Sequence, residues 1–208
     1  MDKRKLELYL VTDRDLSAGR SIEEIVTDAV RGGVTMVQLR EKHTGTREFI
    51  ELALRLKSLL KPFGVPLIIN DRIDVALATD ADGVHIGQSD MPYGMARRIL
   101  GKDKIIGLSV ENFTQIEEAN GLDVDYIGIS PVFSTSTKTD TAAPFGIDGL
   151  RKAVEMSLHP TVAIGGMNRN TAADVIKTGV DGIAVVSAIV CAPSPSDASR
   201  ELLEIIRK

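Results

Sequence analysis

The sequence predicts an α/β protein, a single (β/α)8 TIM barrel spanning residues 1–208, and three observations lead there. Short apolar β-rich runs alternate with longer amphipathic segments along the whole chain, and there are eight of each. Most of the runs are apolar on successive positions rather than every second one, as expected of parallel strands covered on both faces. No composition break or linker divides the chain, and the Pro/Ser stretch at 192–196 reads as a short loop before the last helix. A doubly wound open sheet gives the same alternation and stays as the alternative; the count of eight favours the barrel.

The elements follow in order. The first strand covers 6–12. Ser21 with Glu24 three residues on is a capping box that opens the first helix. Ile22, Ile25, Val26, Ala29 and Val30 then form its apolar stripe. The second strand, 36–40, precedes a helix marked by Phe49, Leu52, Ala53, Leu56 and Leu60. Strand 67–70 leads to helix 73–78, strand 83–86 to helix 95–100, and strand 105–110 to helix 113–120. Strand 126–130 is followed by a loop of about fifteen residues, 131–145, long enough for a binding loop or lid. Helix 149–156, strand 161–164, helix 171–178, strand 182–187 and helix 199–207 complete the pattern. Glycines at 32–33, 64, 101, 121 and 179 fall where helix C-caps are wanted.

Composition narrows the function classes. Hydrophobic residues make up 43% and charged residues 26% of the 208, enough apolar surface to offset the ordering entropy of a folded chain. A net charge of −4 argues against a nucleic-acid or anionic-membrane binder. With no tryptophan and 4% aromatics there is no stacking platform for single-stranded bases. The charges of residues 1–7 precede no long apolar stretch, so neither a signal peptide nor a membrane anchor is expected and the protein is expected in the cytoplasm. Cys191 is the only cysteine, which excludes an internal disulfide or a cysteine-built zinc site. It lies in an apolar context and reads as an inert small hydrophobe.

Barrel chemistry sits at the C-terminal ends of the strands, and there the polar residues collect: Asp13, Gln38, Arg40, Lys42, Asn70, Asp71, His85, Gln88, Asp90, Ser109, Ser130 and Lys138. The opposite end has no comparable constellation, which favours an enzyme. Gln38, Arg40 and Lys42 share one strand face while Leu39 and Glu41 point the other way. Two cations and an amide at the mouth suit a polyanion; the alternative is strand-end charges paired with Glu41 or Glu48. Asn70-Asp71 and Asp90 end consecutive strands, which pair about 4.8 Å apart. Two carboxylates that close, facing two cations, suit a Mg²⁺ that also binds phosphate oxygens, the alternative being helix N-caps. His85 reads as a satisfied histidine rather than a ligand, and His43 and His159 as loop residues. No serine carries a nucleophile-elbow motif. Gly165-Gly166 and Ser187 end the last two strands, where backbone amides of such barrels approach phosphate; a turn needing positive φ is equally served. The hydroxyls and single lysine of the 131–145 loop suit the same ligand.

The segments Tyr9-Leu10-Val11-Thr12-Asp13, Gln38-Leu39-Arg40-Glu41-Lys42, Ile69-Asn70-Asp71, Gly83 to Asp90 and Ile129 to Lys138 resemble thiamine phosphate synthases. Ala163 to Gly166 and Gly182 to Ser187 extend the resemblance to nearly the whole chain in matching order. It implies a transferase that joins a pyrimidine diphosphate to a thiazole phosphate, giving thiamine phosphate and pyrophosphate. By position, Gln38, Leu39, Arg40, Glu41, Lys42 and Asn70 would hold the pyrimidine diphosphate, and Asp71 and Asp90 would be Mg²⁺ ligands. Ser109 would contact the pyrimidine substrate and Lys138 its diphosphate. Thr135, Ser136, Thr137, Gly166, Val186 and Ser187 would cradle the thiazole phosphate. Arg40, Lys42, Ser109 and Lys138 would be the catalytic set. A thiazole tautomerase of the same superfamily is the nearest alternative, and the presence of Lys42, Asp71, Asp90 and Lys138 favours the synthase. A non-catalytic phosphate-binding barrel, which needs no metal, is the alternative from another class. The oligomeric state stays open, a homo-oligomer included.

Overall fold

The computed structural model describes residues 1–134 and 143–208. Eight parallel strands close into a barrel in sequence order. They are β1 (Leu8–Val11), β2 (Met36–Leu39), β3 (Leu67–Asn70), β4 (Gly83–Ile86), β5 (Ile105–Val110), β6 (Tyr126–Ile129), β7 (Thr161–Ile164) and β8 (Gly182–Val185). Closure is made by β8 pairing with β1, Tyr9 opposite Ala184. The open-sheet alternative is thereby set aside.

The helices between them are α1 (Ile22–Arg31), α2 (Thr46–Leu60), α3 (Ile73–Thr79), α4 (Tyr93–Leu100), α5 (Phe113–Asn120), α6 (Gly146–Met156), α7 (Ala172–Ile176), α8 (Ser187–Val190) and α9 (Pro195–Ile206). The Ser21 capping box is present in full, with Glu24 accepting from the Ser21 amide and Ser21 from the Glu24 amide. Three expectations need correction. Strand 182–187 stops at Val185, and Ser187 to Val190 form the additional short helix α8. The last helix begins at Pro195 rather than 199, capped by Ser194 with proline in its first turn, where a missing N–H is harmless. The first strand likewise starts at Leu8, because Lys3–Leu6 form a 3₁₀ turn.

Alternation along each strand sorts side chains into two layers. Leu8, Leu10, Val37, Leu39, Ile69, Val84, Ile106 and Ile127 pack outward against helix residues such as Ile25, Leu52 and Ile116. Leu6, Tyr9, Met36, Ile68, Tyr126, Val162 and Ala184 fill the barrel interior. Both faces are buried, which is why the strands read as continuous apolar runs. Gly107 and Gly128 make room inside: a Cβ at Gly107 would lie 2.1 Å from the Tyr126 ring. No helix of the described residues is long and apolar enough to cross a membrane.

Candidate active site

At the mouth, ion pairs join Arg40 and Lys42, beyond the end of β2, to the ends of β1 and β3. Arg40, just past β2, sets Nη1 3.0 Å from Asp13 Oδ2, and its amide donates to Thr12 Oγ1 at 3.0 Å. Lys42 reaches the other way, its Nζ 2.7 Å from Asp71 Oδ2. The alternative pairing with Glu41 or Glu48 is not what forms. Arg14 takes both of those carboxylates, at 2.9 and 3.2 Å. Leu39 is fully buried in the outer layer, and the Glu41 carboxylate turns to Arg14 and Thr44. Neither side chain is presented to the mouth, so any contact of Leu39 or Glu41 with a substrate held by Gln38, Arg40 and Lys42 would be through the backbone.

Asp71 adopts φ +60°, a left-handed conformation that aspartate tolerates better than most residues, while its amide donates to the His85 carbonyl at 2.9 Å. Asp90, after β4, accepts from the Gly87 amide at 2.7 Å. Burial raises the Asp90 carboxyl above the usual range; the Gly87 amide opposes this, the adjacent Asp71 carboxylate adds to it, and Lys42 offsets part of it. Neither aspartate caps a helix: the N-cap positions of α3 and α4 are Arg72 and Pro92, without side-chain cap bonds. Two crowded carboxylates with one ammonium beside them form a donor set that fits a hard divalent cation, which completes its shell with water and phosphate oxygen. Among the described residues no group of three or more His, Cys, Asp or Glu side chains forms a fuller metal centre.

Below the mouth a hydrogen-bonded chain crosses the barrel interior. Gln38 Nε2 donates to the Tyr9 hydroxyl at 2.8 Å, and the Tyr9 and Tyr126 hydroxyls are 2.9 Å apart. Tyr126 lies 2.9 Å from His85 Nδ1, and His85 Nε2 lies 2.8 Å from Ser109 Oγ. His85 is thus satisfied, as its sequence context predicts. Among the described residues its partner opposite Ser109 is a phenol rather than a carboxylate, so these residues form no Ser-His-acid relay. Gln88 Nε2 donates to the Ser109 carbonyl at 2.6 Å. Sequence reasoning assigned no role to Tyr9 or Tyr126; the available signal was elementary, since a tyrosine in a strand buried on both faces needs a partner for its hydroxyl.

At the ends of β7 and β8, Gly165 and Gly166 have φ +98° and +73°. A Cβ at either would meet Pro131 or Phe133 at 2.9 or 2.8 Å, so both the turn and the close approach require glycine. The Gly166 carbonyl accepts from Asn168 and Thr171, which holds the turn. Val186 and Ser187 open α8, the short extra helix that barrels of this kind place beside phosphate. Asn70 ends β3 beside Asp71. Thr135, Ser136, Thr137 and Lys138 lie outside the described residues. Cys191, read from the sequence as an inert small hydrophobe in an apolar context, is exposed.

The sequence model of the thiamine monophosphate synthase family matches residues 8–189. A thiamine-phosphate synthase of Vibrio campbellii is 54% identical over 202 residues, covering 96% of this chain and 98% of that protein. One from Chloroflexus aurantiacus is 52% identical over 199 residues, covering 96% and 92%. Among solved structures, a thiamine phosphate pyrophosphorylase from Pyrococcus furiosus superimposes with a TM-score of 0.91 at 42% identity, covering 99% of this chain and 97% of that one. With the closed barrel, these matches show that the chain belongs to the thiamine monophosphate synthase family.

Proposed function

We propose that this chain, acting as one catalytic domain over residues 1–208 in the cytoplasm, couples 4-amino-2-methyl-5-(diphosphooxymethyl)pyrimidine with thiazole phosphate by dissociative displacement. The bond from the pyrimidine methylene carbon to the diphosphate oxygen breaks, and its electron pair leaves with pyrophosphate. The thiazole nitrogen then supplies the pair for the new carbon–nitrogen bond. That nitrogen already carries a lone pair, so no general base is needed, in keeping with a mouth rich in cations and carboxylates rather than histidine or cysteine.

Charge develops on the departing diphosphate, and preorganised cations aimed at it lower the barrier. Arg40 and Lys42 take that role in this reading, with Asn70 and Gln38 beside them and Lys138 supplied from outside the described residues. Asp71 and Asp90 would hold Mg²⁺, which when bound supplies charge neutralisation and a fixed grip on phosphate oxygens. Ser109 faces the pyrimidine. Gly166, Val186 and Ser187 offer backbone amides and a hydroxyl to the thiazole phosphate, with Thr135, Ser136 and Thr137 completing the cradle.

The observation that carries the reading is the crowding of the Asp71 and Asp90 carboxylates beside Lys42. Incubation of the pure protein with both substrates tests it. Thiamine phosphate and pyrophosphate are expected in equal amounts with Mg²⁺ present and at greatly reduced rate after chelation; binding of both substrates without either product would contradict it.

A further inference from the structure

The interior chain has a direction, which follows from counting protons. The Gln38 side-chain nitrogen carries only donors, so the Tyr9 oxygen must accept from it. Among the described residues the Tyr9 hydroxyl has two partners, Gln38 and Tyr126; its own proton therefore goes to the Tyr126 oxygen. Tyr126 in turn has Tyr9 and His85, so its proton goes to His85 Nδ1. A neutral imidazole that accepts at Nδ1 carries its proton on Nε2, and that proton points at Ser109 Oγ. Run the other way, the chain ends with a Tyr9 proton facing the Gln38 amide protons, a clash of donors in the dry interior.

We propose that Gln38, Tyr9 and Tyr126 are positioning residues that hold His85 as its Nε2–H tautomer, so that Ser109 turns its hydroxyl proton toward the pyrimidine substrate. The proposal rests on the reading of Ser109 as a pyrimidine contact. In the opposite tautomer the Ser109 proton would be consumed by Nε2, and only lone pairs would face the ligand. The class of group recognised is accordingly an acceptor, and an aminopyrimidine ring nitrogen is one.

Three further features fit this role. Tyr9 and Tyr126 are fully buried, and burial pushes both phenols well above their ordinary range, so neither loses the proton that the count assigns to it. Gln38 and His85 are 3% and 5% exposed, leaving little water to scramble the order of donors. Gly107 and Gly128 lack the side chains that would push the Tyr126 and His85 rings apart. With His85 in the neutral form proposed, the surface beneath the pyrimidine would carry no charge, while positive charge stays at the rim on Arg40 and Lys42. A carbon that turns cationic as diphosphate departs is better served by that arrangement than by a charge below it.

The test is ¹⁵N NMR of the full protein without substrates, with His85 distinguished from His43 and His159 by a His85→Gln variant. We expect a bare, hydrogen-bond-accepting Nδ1 and a protonated Nε2 for His85; an Nδ1–H tautomer overturns the proposal. Tyr126→Phe removes the proton that fixes the tautomer. It is expected to give a mixed tautomer and to raise KM for the pyrimidine diphosphate about tenfold, the scale of one hydrogen bond, with a smaller change in kcat. An unchanged KM and tautomer in that variant overturn it too. Should Tyr126→Phe fail to fold, Tyr9→Phe is read in the same way. Ser109→Ala separates the two layers: an unchanged KM there removes the substrate contact, and with it the last step proposed, even where His85 keeps the Nε2–H form.

Discussion

Lys42 Nζ stands 2.7 Å from Asp71 Oδ2, tying the chain beyond β2 to the end of β3 across the barrel mouth. Asp71 crowds Asp90 on its other side. The three side chains therefore make a charge cluster one positive charge short of balance. In the proposed reading, a divalent cation held by the two carboxylates would restore that balance, and Lys42 would be free to meet the diphosphate.

Loss of Asp71 is expected to cost activity and, for one substitution only, stability. Asp71→Asn keeps a residue that accepts φ +60° but removes the charge, and turnover should fall about a hundredfold or more. Asp71→Ala should fall equally and also lose about 1 kcal/mol, the penalty of a left-handed alanine. Steady-state rates and urea unfolding of both variants check this; a normal rate in Asp71→Asn would remove the assigned role.

Arg40 is held by Asp13 at 3.0 Å and so reaches the mouth already oriented. Arg40→Ala should lower kcat/KM for the pyrimidine diphosphate by about a hundredfold, and Arg40→Lys by less, since an ammonium keeps the charge but not the planar fork. Kinetics of the two variants at saturating thiazole phosphate measure the difference.

Gly107 lies between His85 and Tyr126 on neighbouring strands. A methyl there would sit 2.1 Å from the Tyr126 ring, so Gly107→Ala should destabilise the barrel by about 1–3 kcal/mol, the usual penalty for overpacking. Chemical unfolding gives the value, and wild-type stability would contradict the packing described.

Asp80, the left-handed C-cap of α3, meets Lys104 at 2.6 Å and Lys57 at 2.8 Å. The hydrogen bonds from Lys104 and then Lys57 hold its carboxyl down to about 2. A folded-state value below the unfolded one adds stability above about pH 4, and that stability is lost as pH falls toward 2. Asp80→Asn should therefore be slightly less stable than wild type at pH 5 and indistinguishable near pH 2, with the pH 5 gap shrinking in high salt. Urea unfolding across that range checks the sign.

The barrel was legible because its signals are local. Continuous apolar runs, the Ser21–Glu24 box and the stripe from Ile22 to Val30 each lie within a few residues of sequence. The placement of Gln38, Arg40 and Lys42 opposite Leu39 and Glu41 followed from strand alternation alone. What was not legible depends on closure. Tyr9 and Tyr126 meet across 117 residues of sequence, and no spacing rule announces such a contact. The partners of Arg40 and Lys42 proved to be Asp13 and Asp71 on neighbouring strands, while the nearer Glu41 and Glu48 went to Arg14. Helix α8 has four residues, too few for a periodicity to show.

A crystal grown with Mn²⁺ in place of Mg²⁺ and soaked with the pyrimidine diphosphate, read by anomalous scattering, tests the central claim most directly. One ion is expected, bound by carboxylate oxygens of Asp71 and Asp90 and by diphosphate oxygens, with the Lys42 ammonium moved from Asp71 onto the diphosphate. An ion bound elsewhere, with Asp71 still on Lys42 and Asp90 engaged only by the Gly87 amide, would contradict it.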